Sequence, residues 1–284
     1  MSQLPPEVHQ LIDAALTEDQ VFNDPTTMAL VSPDIAGIGM IRSKARGVLA
    51  GVEVALAVFK RVDPSLDTEA LLSDGAELST GTAIARVFGS AGSILRAERI
   101  ALNFVQRMSG IASDTHRYVQ AVEGLGTRIV DTRKTAPGLR YLDKYSVRMG
   151  GGHNHRMNLA DGILVKDNHI QAMRSREIGL AEVIQLALSS ASHTMKVEVE
   201  VETLEQVREA LVGGAHIIML DNMPVDTMRQ AMKIVDGRAT VEASGNIGLE
   251  TVRAVAETGV DLISIGSLTH SVKALDISLD LEFV

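Results

Sequence analysis

A cluster of cationic side chains carries the clearest chemical signal in this sequence. This cationic cluster has four members in three nearby runs of the chain: Arg133 and Lys134 in DTRKTAPGLR (131–140), Arg156 in GGGHNHR (150–156) and Lys166 in KDNH (166–169). The whole chain has a formal net charge of −9, so a local excess of cations departs from its average. Arginine forks bind carboxylate and phosphate oxygens two at a time. The cluster therefore predicts a site for a small polyanion.

The same cations have an alternative interpretation, in which they are surface charges paired with Asp131, Asp143 and Asp161. The three consecutive glycines at 150–152 favour the anion site, because a backbone without Cβ atoms can approach another group closely.

Polar residues follow each of six apolar, β-rich runs in the second part of the chain. The runs and the polar residues at their ends are 128–130 with Asp131–Lys134, 162–165 with Lys166–His169, 197–201 with Glu198, Glu200 and Glu202, 216–220 with Asp221 and Asn222, 240–242 with Glu242–Asn246, and 262–265 with Gly266–His270. Helical patterns separate most of the runs, which predicts a parallel sheet. Six such units favour an α/β barrel, whose active site collects at the carboxyl ends of the strands. Periodicity alone leaves a doubly wound sheet open.

Two late loops predict a phosphate subsite. Ser244-Gly245-Asn246 and Gly266-Ser267 each expose backbone N–H groups that can hold a phosphate. Late strands are also where barrels usually bind phosphate. For either loop alone, a glycine that merely closes the turn is the alternative.

Two acidic residues on neighbouring strands predict a cation site or a ribose site. Glu200 and Asp221 can hold Mg²⁺, with waters and substrate phosphates as further ligands, or accept hydrogen bonds from ribose hydroxyls. Strand alternation places Glu198, Glu200 and Glu202 on one face and the valines on the other. A solvated edge strand is the alternative, since buried carboxylates are costly without a cation or donors beside them.

The histidines have several interpretations. His153 and His155 have a spacing that can bind a metal, but the sequence offers neither a cysteine nor a clear third ligand. His155, beside Arg156, is better explained as a donor to an anionic substrate. His169 and His270 are predicted to be structural.

The first part of the chain predicts a smaller α+β lobe on an antiparallel sheet. Helical patterns cover 6–16, 52–62 and 97–108, and short alternating runs cover 39–44 and 82–87.

The composition narrows the class of protein. The chain has 284 residues, 3% aromatic residues, no tryptophan and no cysteine. Few aromatics and a negative net charge argue against nucleic-acid binding, and the lack of cysteine excludes disulfides and thiolate chemistry. The first residues, MSQLPPE, lack a signal-peptide pattern, and no apolar run reaches the roughly 18 residues of a membrane span. We expect a cytoplasmic protein that binds neither nucleic acid nor membrane.

The motifs, taken in order, resemble those of the quinolinate phosphoribosyltransferase family, also called nicotinate-nucleotide pyrophosphorylases (carboxylating). The resemblance spans nearly the full length. Besides the motifs above, it rests on Glu18-Asp19, Asp24–Thr27, Glu98-Arg99, Leu102-Asn103 and Ser109–Ala112. Ala136 and Ala243 occupy positions where members of the family vary.

The resemblance implies an amino-terminal α+β sandwich domain and an incomplete parallel α/β barrel. We expect the first domain at 1–113, the barrel at 114–270, and a carboxyl-terminal tail, 271–284, that returns to the first domain. It also implies a homodimer or higher oligomer, in which Arg99 enters the active site of a neighbouring subunit.

The implied reaction joins quinolinate to phosphoribosyl pyrophosphate and releases pyrophosphate and carbon dioxide. The implied quinolinate ligands are Arg99, Arg133, His155, Arg156 and Lys166. The implied catalytic residues are Lys134, on the phosphoribosyl side, with Glu200 and Asp221, which stabilise the ribose and hold Mg²⁺. The implied phosphate ligands are Ser244, Gly245, Asn246, Gly266 and Ser267.

Three rival functions remain at this point. The molybdate-locus paralogue shares the fold, but Asn154 before His155-Arg156 and the intact KDNH run favour the quinolinate enzyme. A phosphosugar aldolase or isomerase would explain the phosphate loops and leave the cationic cluster unexplained. A metabolite-binding protein without catalytic activity would bind the ligands without turnover.

Overall fold

The structure, a computed structural model, describes residues 4–284 and divides into two compact units. The first unit contains the chain up to His116, Thr135–Gly151 and Leu268–Val284, and the second contains Arg117–Lys134 and Gly152–Ser267. Residues 1–3, which begin the stretch without a signal-peptide pattern, lie outside the described residues. No helix within 4–284 is both long and apolar enough to cross a membrane.

The elements are numbered in chain order. The helices are α1 (Pro6–Glu18), α2 (Pro25–Leu30), α3 (Val52–Val62), α4 (Ala91–Ala121), α5 (Arg140–Met149), α6 (Asp167–Arg174), α7 (Leu180–Ser190), α8 (Leu204–Gly213), α9 (Val225–Val235), α10 (Leu249–Ala256) and α11 (Ser267–His270). The strands are β1 (Ala36–Ser43), β2 (Gly47–Val48), β3 (Asp67–Ala70), β4 (Glu77–Leu78), β5 (Ala83–Ser90), β6 (Arg128–Val130), β7 (Ile163–Val165), β8 (Val197–Val201), β9 (Ile217–Asp221), β10 (Thr240–Ser244), β11 (Leu262–Ser264) and β12 (Ile277–Phe283).

An antiparallel sheet with the order β12-β1-β5-β3 organises the first unit. Side chains of β1 alternate between buried and partly exposed, as expected of a strand with one face on a core. Helix α1 buries Val8, Ile12 and Leu16, which recur every fourth residue and so share one face. Helix α3 buries Phe59 in the same core. The predicted α+β character of this part is confirmed.

The second unit contains a six-stranded parallel sheet with the order β6-β11-β10-β9-β8-β7. Its first strand in the chain, β6, pairs with its last, β11, as in a barrel. The strands β6 and β7 are the two ends of the sheet, so the barrel is incomplete. This order removes the doubly wound alternative and confirms the predicted fold class. Because β8 lies between β7 and β9, the alternative of a solvated edge strand is wrong.

The segment 135–151 differs from its predicted assignment, because it groups with the first unit and not with the barrel. Helix α5 in this segment buries Leu142 in the core of the first unit. Asp143, also fully buried, accepts two hydrogen bonds of 3.0 Å from Arg107 on α4. These contacts explain the grouping, and local periodicity does not report them.

Helix α4 is much longer than the predicted 97–108. The predicted helix ends just before Ser109-Gly110, whereas the observed helix continues through both residues. A Cβ atom at Gly110 would lie 2.2 Å from the backbone oxygen of Lys273. Glycine therefore stands in mid-helix because the returning carboxyl-terminal chain passes directly against it.

Gly150 has a packing role that differs from the one predicted. It ends α5, and a Cβ atom there would lie 2.3 Å from the backbone oxygen of Ala112 and 2.7 Å from Cβ of Thr115. The close approach inferred from the glycine run is thus, at Gly150, an approach to helix α4 and not to a ligand.

Gly150→Ala should lower the free energy of unfolding by about 1–3 kcal/mol, because the added methyl group forces backbone shifts in a closely packed contact. Urea denaturation measures this effect. Gly126→Ala is the control, since nothing lies within 4 Å of a Cβ atom there. Equal denaturation midpoints for the two variants would contradict the packing role.

Candidate functional site

A pocket of about 590 Å³ opens at the carboxyl ends of the parallel strands, within the second unit. We call it the rim pocket. Its lining residues are Thr132, Arg133, Lys134, His155, Arg156, Leu164, Lys166, Glu200, Met219, Asp221, Asn222, Glu242, Ser244, Gly245, Asn246 and Ser264. All six strands, or the loops that follow them, contribute to this lining. The structure thus brings together the whole cationic cluster, the two predicted catalytic carboxylates and one of the two predicted phosphate loops.

The register of the central strands places the acidic and the glycine-containing parts side by side. Asp221 at the end of β9 is directly opposite Ser244 at the end of β10, and Glu200 on β8 is opposite Met219 on β9. Since parallel strands in register end at one edge, side chains distant in the chain converge there.

The loop after β10 is held against the end of β9 by side-chain amides. Asn222 and Asn246 both have φ of 51°, and Asn246 Nδ2 donates to Asn222 Oδ1 at 3.0 Å. Asn222 Nδ2 in turn donates to Asp221 Oδ2 at 2.8 Å. Gly245 has φ of 95°, and a Cβ atom there would lie 2.2 Å from Asn222 Oδ1. Only glycine fits at this position, so its conformation alone explains the residue, whether or not a phosphate binds.

Lys166 and Glu200 form an ion pair inside the rim pocket. Lys166 Nζ lies 2.5 Å from Glu200 Oε2, with the lysine side chain 45% exposed and the glutamate 12% exposed. A ligand that uses either charge must compete with this pair. The backbone N–H of Lys166 donates to His169 Nδ1 at 2.9 Å, which is a capping contact at the start of α6.

Arg156 extends beside the other cations of the rim pocket. Its Nη1 donates to the backbone oxygen of Gly162 at 2.8 Å. Burial and, after it, the positive charge of Arg133 lower the pKa of Arg156, while Glu198 acts in the opposite direction. Two cations that repel each other gain from an anion placed between them.

A buried cluster of His155, Glu198 and Glu242 was not predicted from the sequence. His155 Nε2 lies 3.2 Å from Glu198 Oε2 and 3.6 Å from Glu242 Oε2. The carboxylates are 5% and 1% exposed, and their Oε1 atoms have no hydrogen-bond partner among residues 4–284. Burial and then the charge of Glu198 raise the pKa of Glu242 to about 7. Strand alternation places Glu198 on the face of Glu200, and Glu242 opens the fifth polar motif, so a signal for both was present.

This cluster differs from the metal-binding spacing of His153 and His155 that the sequence offers, because it contains only one of the two histidines. One potential ligand atom each from His155, Glu198 and Glu242 lie within 4.8 Å of one another. Among residues 4–284, His153 belongs to no group of side chains that could hold a metal. His153 is exposed, and its backbone pairs beside β6.

The three aspartates of the alternative interpretation have identifiable partners. Asp131 is fully buried and accepts from the backbone N–H of His155 at 2.9 Å and from Asn154 Nδ2 at 2.5 Å. Asp161 accepts from the backbone N–H of Met157 at 2.8 Å. Asp143 binds Arg107. Asp131 therefore anchors the turn that leads to Arg156.

The remaining predicted residues are placed elsewhere. Arg99 is exposed on α4 in the first unit, where it lines a depression of about 380 Å³ with Glu18, Asp19, Asn103 and Arg107. Ser267 begins the short helix α11 and Gly266 precedes it. For the part of the chain that the structure describes, the lining of the rim pocket includes Ser264 from β11 but neither Gly266 nor Ser267.

Comparisons with known proteins agree over nearly the full length. The family models described as "Quinolinate phosphoribosyl transferase, N-terminal domain" and "C-terminal domain" match residues 24–109 and 111–280. A protein of Bacillus subtilis (strain 168) named "Probable nicotinate-nucleotide pyrophosphorylase [carboxylating]" is 42% identical, over 96% of this chain and 93% of that protein.

Solved structures agree with the sequence matches. NadC from Streptococcus pyogenes has a TM-score of 0.94 and 40% identity, with complete coverage of both chains. The nicotinate-nucleotide pyrophosphorylase from Francisella tularensis has a TM-score of 0.93 and 36% identity, over 99% of this chain and 98% of that one. This chain belongs to the quinolinate phosphoribosyl transferase family.

Proposed function

We propose that this protein transfers the phosphoribosyl group of phosphoribosyl pyrophosphate to quinolinate with loss of carbon dioxide, giving nicotinate mononucleotide and pyrophosphate. The observation that carries the proposal is the rim pocket, where the cationic cluster shares one cavity with Glu200, Asp221 and the Ser244–Asn246 loop. A dicarboxylate and a sugar phosphate can each find complementary groups there.

The cationic side of the pocket suits quinolinate. Its two adjacent carboxylates would bind Arg133, Arg156 and Lys166, with each charge-assisted hydrogen bond contributing roughly 1.5–3 kcal/mol. Lys166 would have to leave Glu200, since the two are paired without substrate. Binding of the dicarboxylate would then release Glu200 toward the sugar.

The acidic side suits the ribose. Lys134 and the N–H groups of the Ser244–Asn246 loop would hold phosphate oxygens. Glu200 and Asp221 would stabilise the positive charge that develops on the ribose as pyrophosphate departs. Their hard oxygen atoms also suit Mg²⁺, which would neutralise charge on the pyrophosphate when bound.

The reaction then needs two changes in bonding. The quinolinate ring nitrogen attacks the anomeric carbon, and the bond from that carbon to pyrophosphate breaks with its electron pair leaving on oxygen. The ring becomes cationic, so the electron pair of the breaking C2–carboxylate bond can remain on C2 as carbon dioxide leaves. C2 finally takes a proton from solvent. The protein's contribution is positioning and electrostatic stabilisation.

Release of pyrophosphate tests the function. We expect release that requires both quinolinate and phosphoribosyl pyrophosphate, and that falls to background after exhaustive chelation and returns with added Mg²⁺. Full turnover after chelation would exclude the metal but keep the transferase function. No release with both substrates and Mg²⁺ would overturn the function itself.

Arg133→Ala and Arg156→Ala should each weaken quinolinate binding by about 2–5 kcal/mol, because each leaves a desolvated carboxylate without a bidentate partner. Binding of phosphoribosyl pyrophosphate should change much less. Calorimetry with each ligand measures the difference, with Arg208→Ala as a control at an exposed surface pair. Equal losses for both ligands would remove these arginines from the pyridine subsite.

We also propose an oligomer with shared active sites, in which Arg99 of one subunit serves the rim pocket of its neighbour. The exposed position of Arg99, its grouping with the first unit and the membership of the family support this proposal. In a two-fold dimer each site would then need residues of both chains.

Mixing an inactive Arg99→Ala chain with an inactive Lys134→Ala chain should restore activity. Random exchange makes about half the dimers mixed, and each mixed dimer has one intact site, so recovery should approach roughly a quarter of the wild-type site count. A mixture of Lys134→Ala and Glu200→Ala chains is the control, because both defects lie in one rim pocket and no site is restored. Background activity in the first mixture, with subunit exchange demonstrated, would place Arg99 in its own chain's site.

A further inference from the structure

Asp131 is a fully buried carboxylate just beyond the end of β6, and each of its two oxygens accepts a hydrogen bond. Oδ1 accepts from the backbone N–H of His155 at 2.9 Å, and Oδ2 accepts from Asn154 Nδ2 at 2.5 Å. For residues 4–284, the lining of the rim pocket includes neither Asp131 nor Asn154. These two side chains therefore support the pocket without forming its surface.

The segment 153–155 is also tied to β6 through its backbone. The N–H of His153 donates to the carbonyl oxygen of Ile129 at 2.9 Å, and the N–H of Asp131 donates to the carbonyl oxygen of His153 at 3.1 Å. Val130 and His153 form an isolated parallel bridge at the same place. The backbone of β6 thus aligns the segment at His153, and the Asp131 side chain holds the two residues that follow.

Two arginines of the rim pocket are attached to this junction. Arg133 follows Asp131 by two residues, and Arg156 directly follows His155. The N–H of Arg156 donates to His155 Nδ1 at 2.7 Å, and Arg156 Nη1 donates to the backbone oxygen of Gly162 at 2.8 Å. The two guanidinium groups repel each other. A fixed backbone beneath them is what keeps them at one spacing.

We propose that Asp131 and Asn154 are positioning residues for the dicarboxylate subsite. Their hydrogen bond fixes the turn before Arg156, and the backbone of that turn sets the distance between Arg156 and Arg133. The proposal rests on the proposed function in one respect, namely that these arginines bind quinolinate. An ionised carboxylate can only accept, so Asn154 must turn its NH2 group toward Asp131. The pair therefore needs an acid on one side and an amide on the other.

The test exchanges the acid and the amide of this pair. Asn154→Asp places a second carboxylate against Asp131, and two acceptors cannot share a hydrogen bond, so quinolinate binding should weaken at least about tenfold. Adding Asp131→Asn restores an acid opposite an amide, and the amide oxygen at position 131 can still accept from the N–H of His155. Calorimetry should then find quinolinate binding within about threefold of wild type. Binding of phosphoribosyl pyrophosphate should stay within about twofold in both variants.

Asp161→Asn is the matched control for charge. Asp161 is an exposed carboxylate that accepts from the backbone N–H of Met157 at 2.8 Å, and an amide oxygen can accept the same hydrogen bond. Combined with Asn154→Asp, it gives the same net charge as the exchanged pair but leaves Asp131 facing a carboxylate, so quinolinate binding should stay weak. Asn154→Ala removes one hydrogen bond to Asp131 without adding charge, and should weaken quinolinate binding about fivefold.

Failure of Asp131→Asn to restore binding, equal restoration by Asp161→Asn, or equal losses for both ligands in Asn154→Ala would overturn the proposal. Urea denaturation without ligand should follow the same pattern, with the midpoint lowered by Asn154→Asp and restored in the exchanged pair. Where Asn154→Asp alone does not fold, the exchanged pair and Asn154→Ala decide by the same criteria.

Each ligand is measured alone, without turnover, so the positioning role and the transferase function can fail separately. Quinolinate binding without pyrophosphate release would contradict the transferase function and leave the positioning role in place. Pyrophosphate release with no restoration in the exchanged pair would contradict the positioning role alone.

Discussion

Hydrogen bonding between parallel strands, in one register, is the constraint on which the site depends. Ser244 pairs with Asp221, and Glu200 pairs with Met219. This register determines which side chains of neighbouring strands lie side by side at the carboxyl end of the sheet. A shift of one residue on any strand would turn its polar side chains to the other face of the sheet. The valines of β8 are fully buried on the opposite face, so apolar burial holds the register that the chemistry requires.

The rim pocket contains side chains of both charges. Four cations, with two partly exposed carboxylates and two buried ones, line or underlie a cavity of about 590 Å³. Lys166 and Glu200 neutralise each other, whereas Arg133 and Arg156 repel. A ligand with adjacent negative charges relieves that repulsion. Under the proposed function these charges are in place before the substrate binds, and such electrostatic preorganisation is usually the largest contribution that a protein makes to catalysis.

The sequence indicated most of this arrangement because its signals are local. Alternation and apolar runs located the strands, and the polar residues after them located the rim. Glu198 and Glu242 lie on two of the predicted strands, but the sequence does not predict their cluster, since a buried carboxylate is costly and its partner on another strand cannot be identified from sequence. Only the fold shows that His155 lies between them. The packing role of Gly150 differs from the predicted one for the same reason: a glycine indicates a close approach, but the sequence does not identify the group that approaches.

The sequence by itself determined the strand–helix alternation, the position of the rim residues and the family. Tertiary structure alone decided that 135–151 belongs with the first unit and that α4 continues through Gly110. It also decided that His155 lies beside Glu198 and Glu242, because that depends on which side chains of distant strands converge. The local sequence pattern indicates which face of a helix or strand is apolar. Only the folded structure shows which residues each face contacts, because those residues are distant in the sequence.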